Sequence, residues 1–220
     1  MLSLQRQTII LIASLLLSTL PTASIVAQTT TTDDGLPLQS ETKHEKTYVK
    51  QDVIFQNYKF LNFEELTLEF KENWIHDYNR DQRTLSSQLQ DKDVEDIKGR
   101  LKKQFETSFF EQLKANDRYS LVQTKSAETL LIKPSIVDLF LYGPDKQTAT
   151  SKITMVHQAG GATLVLEIYD ANSGELLAKI IDEKKTFDHF DLQQADRIFN
   201  NSEFSTVYRK WARKLLEVIK

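Results

Sequence analysis

The groups that could do chemistry in this chain are few. There are four histidines, His44, His76, His157 and His189, and no cysteine. Metal sites favour histidines clustered with carboxylates. The densest such cluster is Asp188-His189-Phe190-Asp191. It amounts to half a metal site and reads more simply as a loop entering a helix, with Asp191 as the cap. His157, alone near Gly160, reads as a satisfied sheet residue. No metal site and no cofactor is expected from this set.

Nucleophile and phosphate motifs are missing as well. Gly160-Gly161 is followed by a strand pattern and lies outside any G-x-x-x-x-G-K-[ST] sequence. A bulge or bend in the strand accounts for it better than a phosphate loop. Neither G-x-S-x-G nor H-E-x-x-H occurs. Asp138 sits in an apolar run with Ile136 and Phe140. A carboxylate there needs a partner or a raised pKa, and a buried hydrogen bond to backbone or to an arginine is the expected answer. No catalytic residue is assigned. A hydrolase acting through paired carboxylates would need two acids converging in a cleft, and the sequence offers acids without a pairing.

Binding chemistry is better represented. Trp74, Tyr78 and Arg80 crowd a segment that reads as a polar loop between a strand and a long helix. These residue types dominate binding energy at interfaces, and two aromatic rings with a guanidinium can stack on the sugar rings of a polymer. The plainer alternative folds Trp74 and Tyr78 back onto the sheet and leaves Arg80 solvated. The last helix carries Arg209, Lys210, Arg213, Lys214 and Lys220 opposite an apolar stripe. That pattern suits an anionic membrane surface. It suits equally a packed helix whose cations complement its negative end, and Trp211 in the stripe favours packing.

The elements that position these residues follow from hydrophobic pattern. Arg6 precedes an apolar run over residues 9–20, Pro21 ends it, and small residues lead to Ala27. That is the anatomy of a secretory signal peptide over residues 1–27, cut before Gln28. An apolar run of about 12 residues is too short for a span, which needs ~20. The expected product is periplasmic, without a membrane span after cleavage and without a lipid anchor, since no cysteine is present to carry one. Cleavage removes a single charge, Arg6, leaving 27 basic and 31 acidic residues and a net charge of −4. A mildly acidic chain argues against nucleic acid as a partner. Residues 28–46, with Thr29 to Thr32, Asp33, Asp34, Gly35 and Pro37, read as a disordered tether. Residues 47–220 read as one domain.

Within that domain residues 63–70 alternate, with Leu66, Leu68 and Phe70 on one face of a half-buried strand. Residues 93–115 form a helix with Val94, Ile97, Leu101, Phe105, Phe109 and Leu113 in one stripe, capped by Asp91 or Asp93. Short strand 119–123 follows, then a longer one over 128–142 that bends or starts at Pro134. Residues 162–169 and 176–180 make a hairpin around the turn Asp170-Ala171-Asn172-Ser173-Gly174, with residues 152–158 extending its first strand backwards. Two helices are expected at the end. A short one opens with Asp191 and Gln194 at capping-box spacing and runs to Asn200. The last is capped by Asn201 or Ser202, with Phe204, Val207, Tyr208, Trp211, Leu215 and Val218 as its stripe.

Set out in this order, the chain resembles a family of exported bacterial proteins known as domain of unknown function 3313, many of them lipoprotein-like. The blocks that carry the resemblance are Asn73-Trp74 with Asp77-Tyr78-Asn79-Arg80 and the helix from Asp91 and Asp93 to Phe105 and Phe109. They continue with LLIKPSIVDLFLYGPD over 130–145, AGGATLVLEIYDANSGELLAKIID over 159–182, and Trp211-Ala212 with Leu215. The family's common lipobox cysteine is absent here, so lipid anchoring is not carried over. The resemblance supplies no activity. The expected fold is α+β, a mostly antiparallel sheet with one long helix and C-terminal helices packed on one face. The expected function is a non-catalytic periplasmic binding or assembly module with an envelope protein or polymer as partner. The alternative is a hydrolase acting on an envelope polymer. Oligomeric state is open.

Overall fold

The computed structural model describes residues 31, 32, 34–144 and 154–220, which contain ten strands and three α-helices. The expected signal peptide lies outside them. The strands are β1 (Leu38–Glu41), β2 (Glu45–Val49), β3 (Phe60–Phe63), β4 (Thr67–Phe70), β5 (Ser120–Leu121), β6 (Thr129–Leu141), β7 (Met155–Val156), β8 (Gly160–Asp170), β9 (Leu176–Lys185) and β10 (Gln193–Gln194). The helices are α1 (Trp74–Arg80), α2 (Asp91–Lys114) and α3 (Arg197–Val218).

Eight strands form one sheet in the order β1-β2-β9-β8-β6-β3-β5, with β4 pairing β6 on the same side as β3. The long strands β6, β8, β9 and β2 are antiparallel, and β3, β4 and β5 join in parallel. The fold is α+β. Helices α2 and α3 pack together and on the sheet, and their stripes share one core with Leu130, Ile132, Leu164, Leu166, Ala178 and Ile180. Trp211, Phe109 and Leu215 are fully buried. The basic side of α3 therefore faces away from its packed stripe, and Lys214 pairs with Glu45.

Several local expectations are corrected. The strand over 63–70 is two strands, β3 and β4, separated by residues 64–66. That gap explains how β6 runs through Pro134 without bending there. Pro134 lies between the β3 partner Ile132 and the β4 partner Ser135, where no strand asks for the N–H that proline lacks. Of the segment 152–158, the described residues 154–158 do not extend β8. Within them Met155–Val156 pairs with Gln193–Gln194 as a separate two-stranded sheet. The end of the chain is one helix. Asp191 caps nothing, and the cap is Asp196, whose carboxylate accepts from Phe199 N at 2.8 Å. Asn200 lies in the first turn of this helix, and its buried side chain donates to Gly143 O at 3.0 Å. At the start of α2 the capping box uses Gln90, whose N–H donates to Asp93 at 2.9 Å.

The segment 28–46 was expected to be a disordered tether, yet it contains β1 and the start of β2. Leu36 is 5% exposed, Leu36 N donates to Thr32 Oγ1 at 3.0 Å, and Asp34 approaches Lys179 at 3.6 Å. A polar composition does not prevent order when a paired sheet edge supplies the hydrogen bonds and one leucine finds the core.

Candidate functional site

At one end of the sheet, α1 crosses beside the C-terminal half of β6 and encloses an open groove of about 820 Å³. Its geometry begins with a bulge. The pairing of β6 shifts between Val137 and Phe140 against β8, and the pairing of β4 with β6 shifts between Leu68 and Phe70. Asp138 is the extra residue, with φ at 51°. The left-handed region is tolerated by aspartate better than by most residues. The expectation of a buried, hydrogen-bonded Asp138 is corrected. The bulge turns its side chain to solvent, where it is exposed and lines the groove.

The bulge also re-aims Phe140, whose ring lies across Gly161. A Cβ on Gly161 would meet that ring at 2.9 Å, and one on Gly160 would meet Phe140 O at 2.0 Å. The two glycines are there for close approach of two strands. Lys71 Nζ lies 5.9 Å from the centre of the Phe140 ring, and Tyr142 meets Phe140 edge-on at 5.3 Å.

The opposite wall is α1. The segment expected to be a loop is a helix, because Trp74, Tyr78 and Ile75 recur at helical spacing and pack against the core. Trp74 stacks on Phe70 with centroids 4.6 Å apart and donates its indole N–H to Leu141 O at 3.1 Å. Tyr78 follows at 6.1 Å. Burial pushes the Tyr78 phenol above its ordinary pKa, and the charge of Asp93 adds to this. Trp74 and Tyr78 are half-buried and both line the groove. Arg80 does not line it. Its guanidinium is exposed and sits 3.2 Å from Asp77 and 3.9 Å from Asp81, which do.

The groove carries three lysines, Lys71, Lys184 and Lys185, against five acids, Glu72, Asp77, Asp81, Asp138 and Glu183. Lys184 is committed to Asp182, 2.7 Å away. Asp182 itself is buried, and desolvation raises its pKa against the opposing pull of Lys184. All five acids of the groove are exposed. The arrangement offers ring faces, carboxylate acceptors and a few cations along an open channel. That is binding chemistry. Sequence reading missed Phe140, Tyr142 and Lys185 as parts of this wall. The one available signal was Asp138, a charge inside an otherwise apolar strand.

His157 and His189 are neighbours, while His44 and His76 pair with other acids. His44 contacts Glu183 at 3.1 Å, His76 contacts Asp77 at 3.4 Å, and His189 contacts Glu203 at 3.1 Å. His157 is exposed in a loop, where its ring approaches His189 O at 2.9 Å. Among the described residues no three histidines and carboxylates stand where they could hold a metal ion.

The family described as "Protein of unknown function (DUF3313)" has a model that matches residues 28–215. The chain belongs to that family. None of the curated proteins matches this DUF3313 member. Among solved structures it is similar to a PelC dodecamer from Paraburkholderia phytofirmans at 8% identity, with a TM-score of 0.38 over 80% of this chain and 95% of that one. It is also similar to a PDZ domain protein from Parabacteroides distasonis at 14% identity, with a TM-score of 0.35 over 76% of this chain and 35% of that one. Likenesses this distant say nothing of partner or substrate. Among the described residues no helix is long and apolar enough to cross a membrane.

Proposed function

We propose that the protein is a non-catalytic binding or assembly module of the bacterial envelope, working in the periplasm, and that it holds an envelope polymer in the groove between α1 and the bulged end of the sheet. The observation that carries this reading is the open channel of about 820 Å³ with aromatic residues on both walls, Trp74 and Tyr78 on one and Phe140 and Tyr142 on the other. Tyr142 is 52% exposed and offers a ring to solvent. Rings stack on the faces of sugars, and the exposed carboxylates can accept from hydroxyls. Arg80 borders the channel through Asp77 and Asp81.

Hydrolysis by paired carboxylates is the competing reading. It calls for one acid kept protonated by its surroundings, facing a second that stays ionised. The groove acids are all in water, and the one buried carboxyl near them, Asp182, is bound to Lys184. Nothing in the geometry favours the enzyme over the binding module.

The test is affinity capture from an envelope extract with the processed chain and with a Tyr142→Ala, Arg80→Ala variant. The variant should fold like the wild type and lose the captured polymer. A folded variant that captures the same material would remove this groove as the site.

A further inference from the structure

The bulge in β6 holds an aspartate in a conformation that glycine adopts most readily. Among the described residues three other than glycine have a positive φ, Asp52 at 61°, Asn73 at 60° and Asp138 at 51°. Asp52 and Asn73 stand in turns between elements, the second just before α1. Asp138 is the one inside a strand, between Val137 and Leu139 of β6. Aspartate is tolerated in the left-handed region chiefly because its side chain can bond nearby backbone. Asp170 bonds nearby backbone in this way, accepting from Asn172 N at 2.8 Å and from Ser173 N at 2.7 Å. The Asp138 carboxylate does not. Among the described residues no group donates to it and no cation pairs with it, and its side chain is exposed. No bond within the described fold offsets the backbone strain, and strain kept in this way points to a function.

The surroundings of Asp138 say what its carboxylate would meet. It lines the groove with Phe140 and Tyr142 from its own end of the sheet and with Trp74 and Tyr78 from α1. Of the other four acids there, Asp77 and Asp81 lie 3.2 and 3.9 Å from Arg80, and Glu183 lies 3.1 Å from His44. Glu72 stands in the turn before α1 on a longer side chain. Asp138 combines a free carboxylate with a place fixed by the pairing of β6 with β4 on one side and β8 on the other. Lys71 Nζ lies 5.9 Å from the centre of the neighbouring Phe140 ring, and Lys71 N donates to Leu139 O at 2.8 Å. Among the described residues Lys71 makes no ion pair, with Asp138 or with another acid. An acceptor and a donor thus stand near one ring. A hydroxyl can donate to the first and accept from the second. A cationic ligand would meet Lys71, and an anionic one Asp138, with like charge.

We infer, resting on the reading of this groove as the binding site, that Asp138 is its specificity-determining residue and accepts hydrogen bonds from the hydroxyls of an uncharged glycan whose sugar rings pack on the aromatic walls. Ring contacts alone admit sugars of many kinds. A carboxylate fixed among them demands hydroxyls at a matching place, as the few placed polar groups of an apolar site do, and its charge makes the hydrogen bond the stronger kind.

The test is retention of envelope polysaccharide, freed of protein by protease and of lipid by solvent, on the immobilised processed chain. Asp138→Gly removes the carboxylate and suits the positive φ, so it should fold like the wild type and cut retention by about tenfold or more. Asp138→Asn also tolerates that φ. It keeps an acceptor without the charge, should weaken retention by a smaller factor, and decides the matter if the glycine variant melts lower. Asp52→Gly, the same change at a left-handed aspartate outside the groove, should leave retention unchanged. Wild type should still hold the glycan in about 1 M sodium chloride, where charges are screened beyond ~3 Å. The inference is overturned if folded Asp138 variants retain as much as wild type, or if that salt releases the glycan, which is the mark of attraction between charges. If Tyr142→Ala with Arg80→Ala abolishes retention while folded Asp138 variants keep it, the role of Asp138 fails alone. If wild type retains no glycan, the groove reading fails with it.

Discussion

The indole N–H of Trp74 donates to the carbonyl of Leu141 across 3.1 Å, joining the first residue of α1 to the last residue of β6. This bond closes the end of the groove and makes Trp74 structural as well as accessible. It also separates Trp74 from Arg80, which the sequence places six residues away and the fold leaves in solvent.

The two residues should therefore respond differently to substitution. Trp74→Phe keeps a ring against Phe70 and loses the hydrogen bond, and should cost about 1 kcal/mol. Arg80→Ala breaks only exposed ion pairs and should stay within about 0.5 kcal/mol of wild type. Urea unfolding of both variants decides this. An Arg80→Ala loss as large as that of Trp74→Phe would show that the Asp77 pair matters to the fold.

Gly161→Ala should destabilise by about 1–3 kcal/mol, the range for overpacking a tight contact. The added methyl meets the Phe140 ring at 2.9 Å and Lys184 O at 3.2 Å. Because Phe140 lines the groove, capture should weaken together with stability. A neutral melt would mean that the strands separate easily at the bulge.

Trp211→Ala should cost about 3–5 kcal/mol, as expected for removing a core aromatic. Trp211 is 0% exposed and packs beside Tyr208, with ring centres 5.7 Å apart. Denaturant titration at constant m-value is the measurement. A loss below about 1 kcal/mol would not fit so complete a burial.

Asp182 gives a pH dependence whose sign can be worked out. Desolvation raises its folded-state pKa above the ordinary 3.8, with Lys184 opposing. A folded carboxyl with a raised pKa favours folding while protonated. Its contribution is complete below the unfolded value and is lost as pH rises through the folded one. Asp182→Asn stays neutral and should lack this loss. Unfolding free energies of both proteins from pH 3 upward, subtracted, should show wild type falling relative to the variant as pH climbs above about 4. A flat difference, or one of opposite slope, would contradict the assignment.

Much of the architecture was legible because it rests on local periodicity. The stripe from Val94 to Leu113, the alternation of Ala162, Leu164, Leu166 and Ile168, and the turn at Asp170 to Gly174 each announce their element. These patterns determine the α+β class and the buried face of α3, since a 3.6 or a 2.0 repeat of large apolar residues has only one way to be buried. The Trp, Tyr and Arg enrichment near residue 74 was legible for the same reason, as composition.

Only the tertiary structure decided where those residues meet. No local pattern says that β6 would gain one residue at Asp138, turn that acid outward and lay Phe140 across Gly161, because a bulge is fixed by register against two neighbouring strands at once. Nor does polar composition reveal that residues 38–41 form an edge strand, or that one last helix is capped by Asp196, where a short helix capped by Asp191 and a last one capped by Asn201 or Ser202 were expected. For the bulge the deciding partners, β4 and β8, are distant in sequence, as Leu141 is for Trp74. The sequence by itself determined which faces must be buried. The groove arose from what those buried faces left outside, a matter of long-range register and packing that no local repeat encodes.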